Sequence, residues 1–134
     1  MSGELVWAVK ESFVAYVEAV GGTVEPSGGA VREGALFRFP EQDAPGAAGE
    51  RCFGGEVRFR AHDGLLAVTL SGLRLVDGVL RCRRPHRDEL LDLVTLEPVG
   101  SGVHRTTLAA EGAALFGGQY DPGQPMADLT LTRG

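Results

Sequence analysis

Short runs of alternating apolar and polar residues, separated by glycine-rich turns, constrain the fold of this chain more than any other feature. The clearest run ends at Arg60, where Val57 and Phe59 alternate with Arg58 and Arg60. Successive side chains of a strand point to opposite faces, so this pattern predicts a strand with Val57 and Phe59 inward and both arginines outward. A chain built from such runs must bury one face of a sheet, which predicts β structure.

Turn residues predict how these runs are connected. Asp63-Gly64 and Asp77-Gly78 each lie between two alternating runs, which is typical of β-hairpins. Other strands are predicted at residues 5–9, 34–39, 65–70, 73–76, 79–82, 91–96, 106–110, 113–116 and 127–131, with turns or loops at 21–30 and 40–50. Strands spaced by about 8–12 residues are typical of a β-sandwich or a barrel. We expect a mainly β, sandwich-like antiparallel fold with one or two short α-helices.

One early segment has the composition of a helix. Lys10–Val20 contains no glycine or proline, and Gly21 and Gly22 follow it as a stop. Its apolar residues at helical spacing are Phe13, Val17 and Val20. Ser12 and Tyr16 are also four residues apart, so they share a neighbouring face of the predicted helix.

Size and charge exclude several classes of protein. The 134 residues suit one domain, so we expect residues 1–134 to form a single unit. The net charge of −5 argues against a nucleic-acid binder, which needs clustered cations. No apolar run approaches the ~20 residues of a spanning helix, so we expect no membrane insertion. A signal-peptide pattern is missing, which predicts a cytoplasmic protein, or an extracellular or cell-surface one if the sequence is trimmed.

Motifs for common chemistries are missing as well. The sequence contains no nucleophile elbow, no phosphate-binding loop and no dinucleotide fingerprint. His62, His86 and His104 lie in separate segments without metal-ligand spacing. Cys52 and Cys82 form no CxxC pair; they are read as two buried small residues, with a disulfide as the alternative. We therefore expect no enzyme.

Three features have open interpretations at this point. The basic run Arg81–Arg87 suits a solvated edge strand and turn, whose charges discourage edge pairing, or a patch for an anionic ligand or partner. Tyr16 fits a half-buried tyrosine with its hydroxyl at the surface. His62 fits a turn histidine that is hydrogen-bonded to the backbone.

Three separated motifs resemble one known family. They are Trp7-x-Val9-Lys10-x-Ser12-Phe13-x-x-Tyr16, then Gly55-x-Val57-x-Phe59-x-x-His62-x-Gly64-x-Leu66, and finally Phe116–Gly123 followed by Asp128–Leu131. In this order they resemble the HtaA-type haem-transport domain over nearly the whole chain.

The resemblance implies a ferric haem b site and assigns its residues. Tyr16 would be the iron ligand, and His62 would hydrogen-bond to it. Ser12 would lie near a haem propionate, and Phe116 would pack near the haem. Some family members carry a tyrosine where Gly117 stands here, so Tyr120 is the candidate for the second propionate contact.

The chemistry of the residues agrees with this resemblance. Ferric iron is a hard acid that favours an anionic oxygen, and tyrosinate is an established haem ligand. Phe13, Phe59, Leu66 and Phe116 could supply an apolar wall or serve as ordinary core. We expect haem carriage, transport or storage, with haem-donor or haem-acceptor proteins as possible partners. The alternatives are a protein-interaction module with a decayed haem site and a haem-degrading enzyme.

Overall fold

The computed structural model describes residues 3–42 and 49–132. Within them the chain forms ten strands, two α-helices and one turn of 3₁₀ helix, His62–Gly64. In chain order the elements are β1 (Glu4–Trp7), α1 (Glu11–Ala19), β2 (Thr23–Ser27), β3 (Val31–Glu33), β4 (Leu36–Gln42), β5 (Arg51–Ala61), the 3₁₀ turn, β6 (Leu66–Val76), β7 (Val79–Arg83), β8 (Leu90–Pro98), β9 (Val103–Leu108), α2 (Ala110–Leu115) and β10 (Leu129–Thr132).

Eight of the strands close into an antiparallel barrel. Their order is β5-β6-β7-β8-β9-β10-β1-β4, and β4 returns to β5 through Glu41 opposite Phe53 and Gln42 opposite Cys52. β2 pairs with β5 and β3 pairs with β4, outside the ring. The expected mainly β, antiparallel fold with short helices is confirmed. The sandwich-like arrangement is replaced by a closed barrel, because β4 pairs with both β1 and β5 and joins what would be two sheets.

The barrel interior is filled by the inward side of each alternating run. Val57 and Phe59 are fully buried, whereas Arg58 and Arg60 face solvent, as the alternation predicts. The largest buried side chains are Trp7, Phe13, Phe37, Phe39, Phe53, Phe59 and Phe116. Buried rings of this size dominate the apolar area that a small core removes from water.

Several predicted elements differ from the observed ones. Strand β2 occupies part of the predicted turn region, and its Pro26 is tolerated because β2 pairs only with β5. Strand β6 runs unbroken through Gly72, which has φ +60°. Of the predicted loop 40–50, residues 43–48 lie outside the described residues.

The strand predicted at 113–116 is wrong, because this segment belongs to helix α2 and its end. Gly112 lies so close to β8 that an added Cβ would stand 2.3 Å from the Leu93 carbonyl oxygen. The Ala109 amide also donates to that oxygen at 3.0 Å. The alanine-rich sequence suits a helix by propensity, and this close contact fixes the helix against the barrel.

Cys52 and Cys82 are free thiols in the structure. Cys82 is fully buried, and burial raises the pKa of its thiol to about 12. Cys52 is only partly buried, which corrects the expectation of two buried residues. Among the described residues, no helix has both the length and the hydropathy needed to cross a bilayer.

Candidate functional site

Helix α1 lies against the barrel and turns one face to solvent. Phe13, Val14 and Val17 are its buried residues, whereas 41% of Tyr16 is exposed. The helix follows β1 through Val9, which has φ +64°, a left-handed conformation that is rare for a β-branched residue. This turn sends the chain out of the sheet and sets the direction of α1.

Two contacts fix the C-terminal end of α1. An added Cβ on Gly22 would stand 2.3 Å from the Arg60 carbonyl oxygen, so only glycine allows α1 to end this close to β5. On the outer side, both guanidinium nitrogens Nη1 and Nη2 of Arg32 donate to the carboxylate of Glu18, each at 3.0 Å. These hydrogen bonds hold the pKa of Glu18 below its usual value. The position of Tyr16, two residues before Glu18, is therefore defined relative to β3 and β5.

Tyr16 and His62 meet across 46 residues of sequence. The Tyr16 hydroxyl and His62 Nε2 share a hydrogen bond of 2.6 Å, and the ring centroids are 5.8 Å apart. The hydroxyl donates when Nε2 is unprotonated, and Nε2–H donates when the proton is on the ring. The pair can therefore support either a neutral phenol or an anionic oxygen.

The backbone that presents His62 is strained. His62 and Asp63 have φ values of +54° and +55°, and both lie in the 3₁₀ turn that links β5 to β6. Non-glycine residues in this region cost free energy and are concentrated at functional sites. With this backbone, His62 Nε2 lies within hydrogen-bond distance of the Tyr16 hydroxyl on α1.

A second polar contact lies at the other end of α1. The Ser12 hydroxyl is hydrogen-bonded to Tyr120, whose pKa is raised by burial and lowered by this bond, with burial the larger cause. The Tyr120 ring stands edge-on to Phe13 and Phe116, with centroids 6.2 and 6.0 Å apart. The Lys10 ammonium lies 5.4 Å from the centre of the Tyr120 ring.

The predicted site residues thus form two groups on one flank of the barrel. Tyr16 contacts His62, and Ser12 contacts Tyr120. Phe116 is 1% exposed and packs on Phe13 at 5.1 Å, so its ring belongs mainly to the core. In residues 3–42 and 49–132, no group of three His, Cys, Asp or Glu side chains could hold a bare metal ion.

Sequence reasoning missed two residues beside these groups. Leu65 is 92% exposed at the tip of the β5–β6 connection, whereas Leu66, predicted as a wall residue, is largely buried. Alternation could have indicated this, since Leu66, Val68 and Leu70 all face inward. Leu65 borders a cavity of about 160 Å³ that reaches Leu115, Phe116, Gly117 and Gln119. Lys10 was also missed, because its position over Tyr120 depends on a contact between distant segments.

A family model for HtaA matches residues 2–78, which is more than half of the chain. The chain belongs to the HtaA family. No curated protein matches it.

Solved structures of HtaA-family proteins from Corynebacterium glutamicum share the fold. The N-terminal domain of HtaA superposes with a TM-score of 0.84 at 20% identity, over 99% of this chain and 96% of that one. The C-terminal domain of HtaA gives 0.80 at 17% identity, with the same shares. The heme binding protein HtaB gives 0.77 at 21% identity, over 98% of this chain and 91% of that one.

Proposed function

We propose that this HtaA-family chain binds one ferric haem on the flank formed by α1 and the turn after β5, with the Tyr16 oxygen as the axial ligand. The observation that carries the proposal is the 2.6 Å hydrogen bond between Tyr16 and His62 on an accessible surface. Membership of the HtaA family and the fold shared with the heme binding protein HtaB support it.

The donor set suits iron held in a porphyrin. A single phenolate offers one hard, anionic oxygen, and ferric haem needs only axial donors from the protein, because the porphyrin supplies the others. Tyr16 is 41% exposed, so a large planar ligand can reach its oxygen without unfolding the barrel. Leu65, 92% exposed beside this flank, provides apolar surface that a macrocycle would cover.

His62 would act on the ligand oxygen and not on the iron. Once Tyr16 is a phenolate, His62 Nε2–H can donate to it, which stabilises the negative charge and fixes the direction of the lone pairs. The hydrogen bond to Tyr16 already holds the imidazole in this position. This preorganisation reduces the conformational entropy lost on binding.

Ser12 and Tyr120 would hold the polar edge of the haem. Both are hydroxyl donors, and a propionate can accept from either when their mutual hydrogen bond is released. The Lys10 ammonium lies close enough to the Tyr120 ring to place a positive charge at this edge. The proposed function is carriage, transport or storage of haem, without catalysis.

The first test is a titration of the purified chain with ferric hemin, followed by visible absorption. Saturation at one equivalent, with a high-spin spectrum typical of tyrosinate ligation, supports the proposal. If no saturable band develops, the chain does not bind haem and an interaction module becomes the better interpretation. Adding a reductant under air to the loaded protein tests the enzyme alternative, because haem degradation would release a bilin. That residues 1–134 form a single domain stays a prediction, and so does the cytoplasmic, extracellular or cell-surface location.

A further inference from the structure

The basic run Arg81–Arg87 covers the end of β7 and the start of the β7–β8 connection. Arg81 pairs with Asp92 at 2.9 Å, and Arg84 pairs with Glu111 and Glu89. Strand β7 is hydrogen-bonded on both sides, to β6 and to β8. Protection of an open sheet edge therefore does not account for these charges, because β7 has no free edge.

Three arginines beside these pairs have no ion-pair partner within the described residues. They are Arg60 on β5, Arg83 at the end of β7 and Arg87 in the β7–β8 connection. Their side chains are exposed. Arginine presents a planar fork of N–H donors that matches a carboxylate, so unpaired arginines on one surface indicate a site for anions.

Two of these arginines border one concave surface, which we call the basic groove. It has a volume of about 320 Å³, and its lining includes Arg60, Ala67, Thr69, Ser71, Arg83 and His86. One carboxylate, that of Glu56, also borders it, but Glu56 is paired with Arg58 at 2.7 Å. Arg84 lines the groove too, but it is paired with Glu89 and Glu111. The unpaired charges on the groove are therefore those of Arg60 and Arg83.

The arginines stand at opposite ends of the groove. Arg60 lies opposite Ala67 of β6, and the Arg83 side chain lies over Gly72 of the same strand. Five residues separate these positions, which is about 16 Å at ~3.3 Å per strand residue. Charges spread along this length suit several carboxylates on an extended chain better than one small ion. Thr69 and Ser71 place hydroxyl groups between them.

We propose that the basic groove docks an acidic, carboxylate-rich segment of a partner protein. The overall charge of −5 disfavours a nucleic acid or an anionic membrane, since a dense polyanion is repelled by the rest of the molecule. A short acidic segment senses mainly the local positive surface, because charges beyond about 10 Å are screened in salt.

The position of the groove connects it with the proposed haem site. Arg60 also borders a second concavity of about 360 Å³ that contains His62 and Gly22. A segment seated in the groove would therefore lie beside the histidine that contacts Tyr16. This connection rests on the proposed function, but the docking itself does not require haem.

The test uses haem-free protein and a fluorescein-labelled peptide of alternating glutamate and serine, with binding followed by fluorescence anisotropy at an ionic strength of about 0.1 M, where charges beyond about 10 Å are screened. The double variant Arg60→Gln/Arg83→Gln should bind the peptide at least about tenfold more weakly than the parent, because two charge contacts are lost. The control Arg74→Gln/Arg105→Gln removes the same charge from two arginines outside the groove, whose ion-pair contacts are long at 3.8 Å, and should bind as the parent does.

Three results would overturn the proposal. The first is equal binding by the groove variant and the parent. The second is displacement of the peptide by inorganic phosphate at matched anion concentration, which would indicate a small-anion site. The third is tighter binding of duplex DNA than of the peptide. Since hemin is absent from every arm, failure here leaves the hemin titration unaffected, and failure of that titration leaves the docking result unaffected.

Discussion

The two tyrosines of this chain lie on the same flank of the barrel in contrasting surroundings. Tyr16 is 41% exposed, and its hydroxyl contacts a histidine. Tyr120 is partly buried between Phe13 and Phe116, and its hydroxyl contacts Ser12. The two side chains are chemically identical, but the residues around them differ.

The difference indicates a division of roles. Burial disfavours the charged form of a phenol, so the raised pKa of Tyr120 keeps it a neutral hydrogen-bond donor. His62 can donate to the Tyr16 oxygen, which is the support an anionic ligand needs. We therefore expect Tyr16 to bind iron and Tyr120 to bind a carboxylate.

Tyr16→Phe should have the largest effect. It removes the proposed ligand oxygen while keeping the ring, and hemin affinity should fall by more than about 100-fold, beyond the range typical of lost supporting residues. The matched control is Tyr120→Phe, which deletes the other phenol oxygen. Equal affinities of Tyr16→Phe and the parent, measured by hemin titration, would falsify the assignment of Tyr16.

His62→Ala should weaken hemin binding by about 10- to 100-fold, because the ligand oxygen loses its supporting hydrogen bond. The phenolate should then be protonated more easily, so haem should be released at a higher pH on acidification than from the parent. His104→Ala is the control, since His104 Nδ1 is hydrogen-bonded to the Gly102 carbonyl oxygen at 3.2 Å and takes no part in the Tyr16 contact. An unchanged affinity together with an unchanged release midpoint would remove His62 from the site.

Reduction should loosen the haem. An anionic oxygen stabilises Fe³⁺ more than Fe²⁺, so the loaded protein should have a low reduction potential. Transfer to apomyoglobin under anaerobic conditions should be at least about tenfold faster from the ferrous form, a change that needs only ~1.4 kcal/mol. Transfer that is no faster after reduction would disprove release by reduction while leaving haem binding intact.

Tyr120→Phe should have a smaller effect on hemin affinity than either site variant, about fivefold, which corresponds to one hydrogen bond of ~1 kcal/mol. The visible spectrum of the bound haem should stay that of the parent, because the iron ligand is unchanged. A loss of affinity as large as that of Tyr16→Phe, or an altered spectrum, would mean that the roles of Tyr16 and Tyr120 are reversed.

The smallest effect concerns stability at alkaline pH. The pKa of Tyr120 is raised above its ordinary value of 10.0 in the folded protein, so above that pH the unfolded chain loses a proton that the folded chain keeps. The contribution of the neutral Tyr120 phenol to the free energy of unfolding is present below pH 10.0 and is lost as the pH rises through the raised pKa. The free energy of unfolding, measured with urea across this pH range, should fall less steeply with pH for Tyr120→Phe than for the parent. Parallel declines would show that Tyr120 does not contribute.

Local patterns in the sequence were enough for the elements that depend on local backbone preference. The helix predicted at Lys10–Val20 is observed at Glu11–Ala19, and its end at a glycine pair follows from the left-handed conformation of Gly21, with φ +78°. The alternation at Val57 and Phe59 also fixed which side of β5 faces the core. The motif resemblance named Tyr16, His62, Ser12 and Tyr120, but not their contacts.

Only the tertiary structure decided how these pieces meet. The barrel closes where β1 pairs with β10, for example Leu5 opposite Leu131, and where β4 pairs with β5. No local pattern specifies such pairings, because alternation gives the face of a strand but not its neighbour. The hydrogen bond between Tyr16 and His62 likewise joins α1 to the turn after β5 across 46 residues. Sequence determined the kinds of element and the candidate residues, and long-range strand pairing determined which of them share a surface.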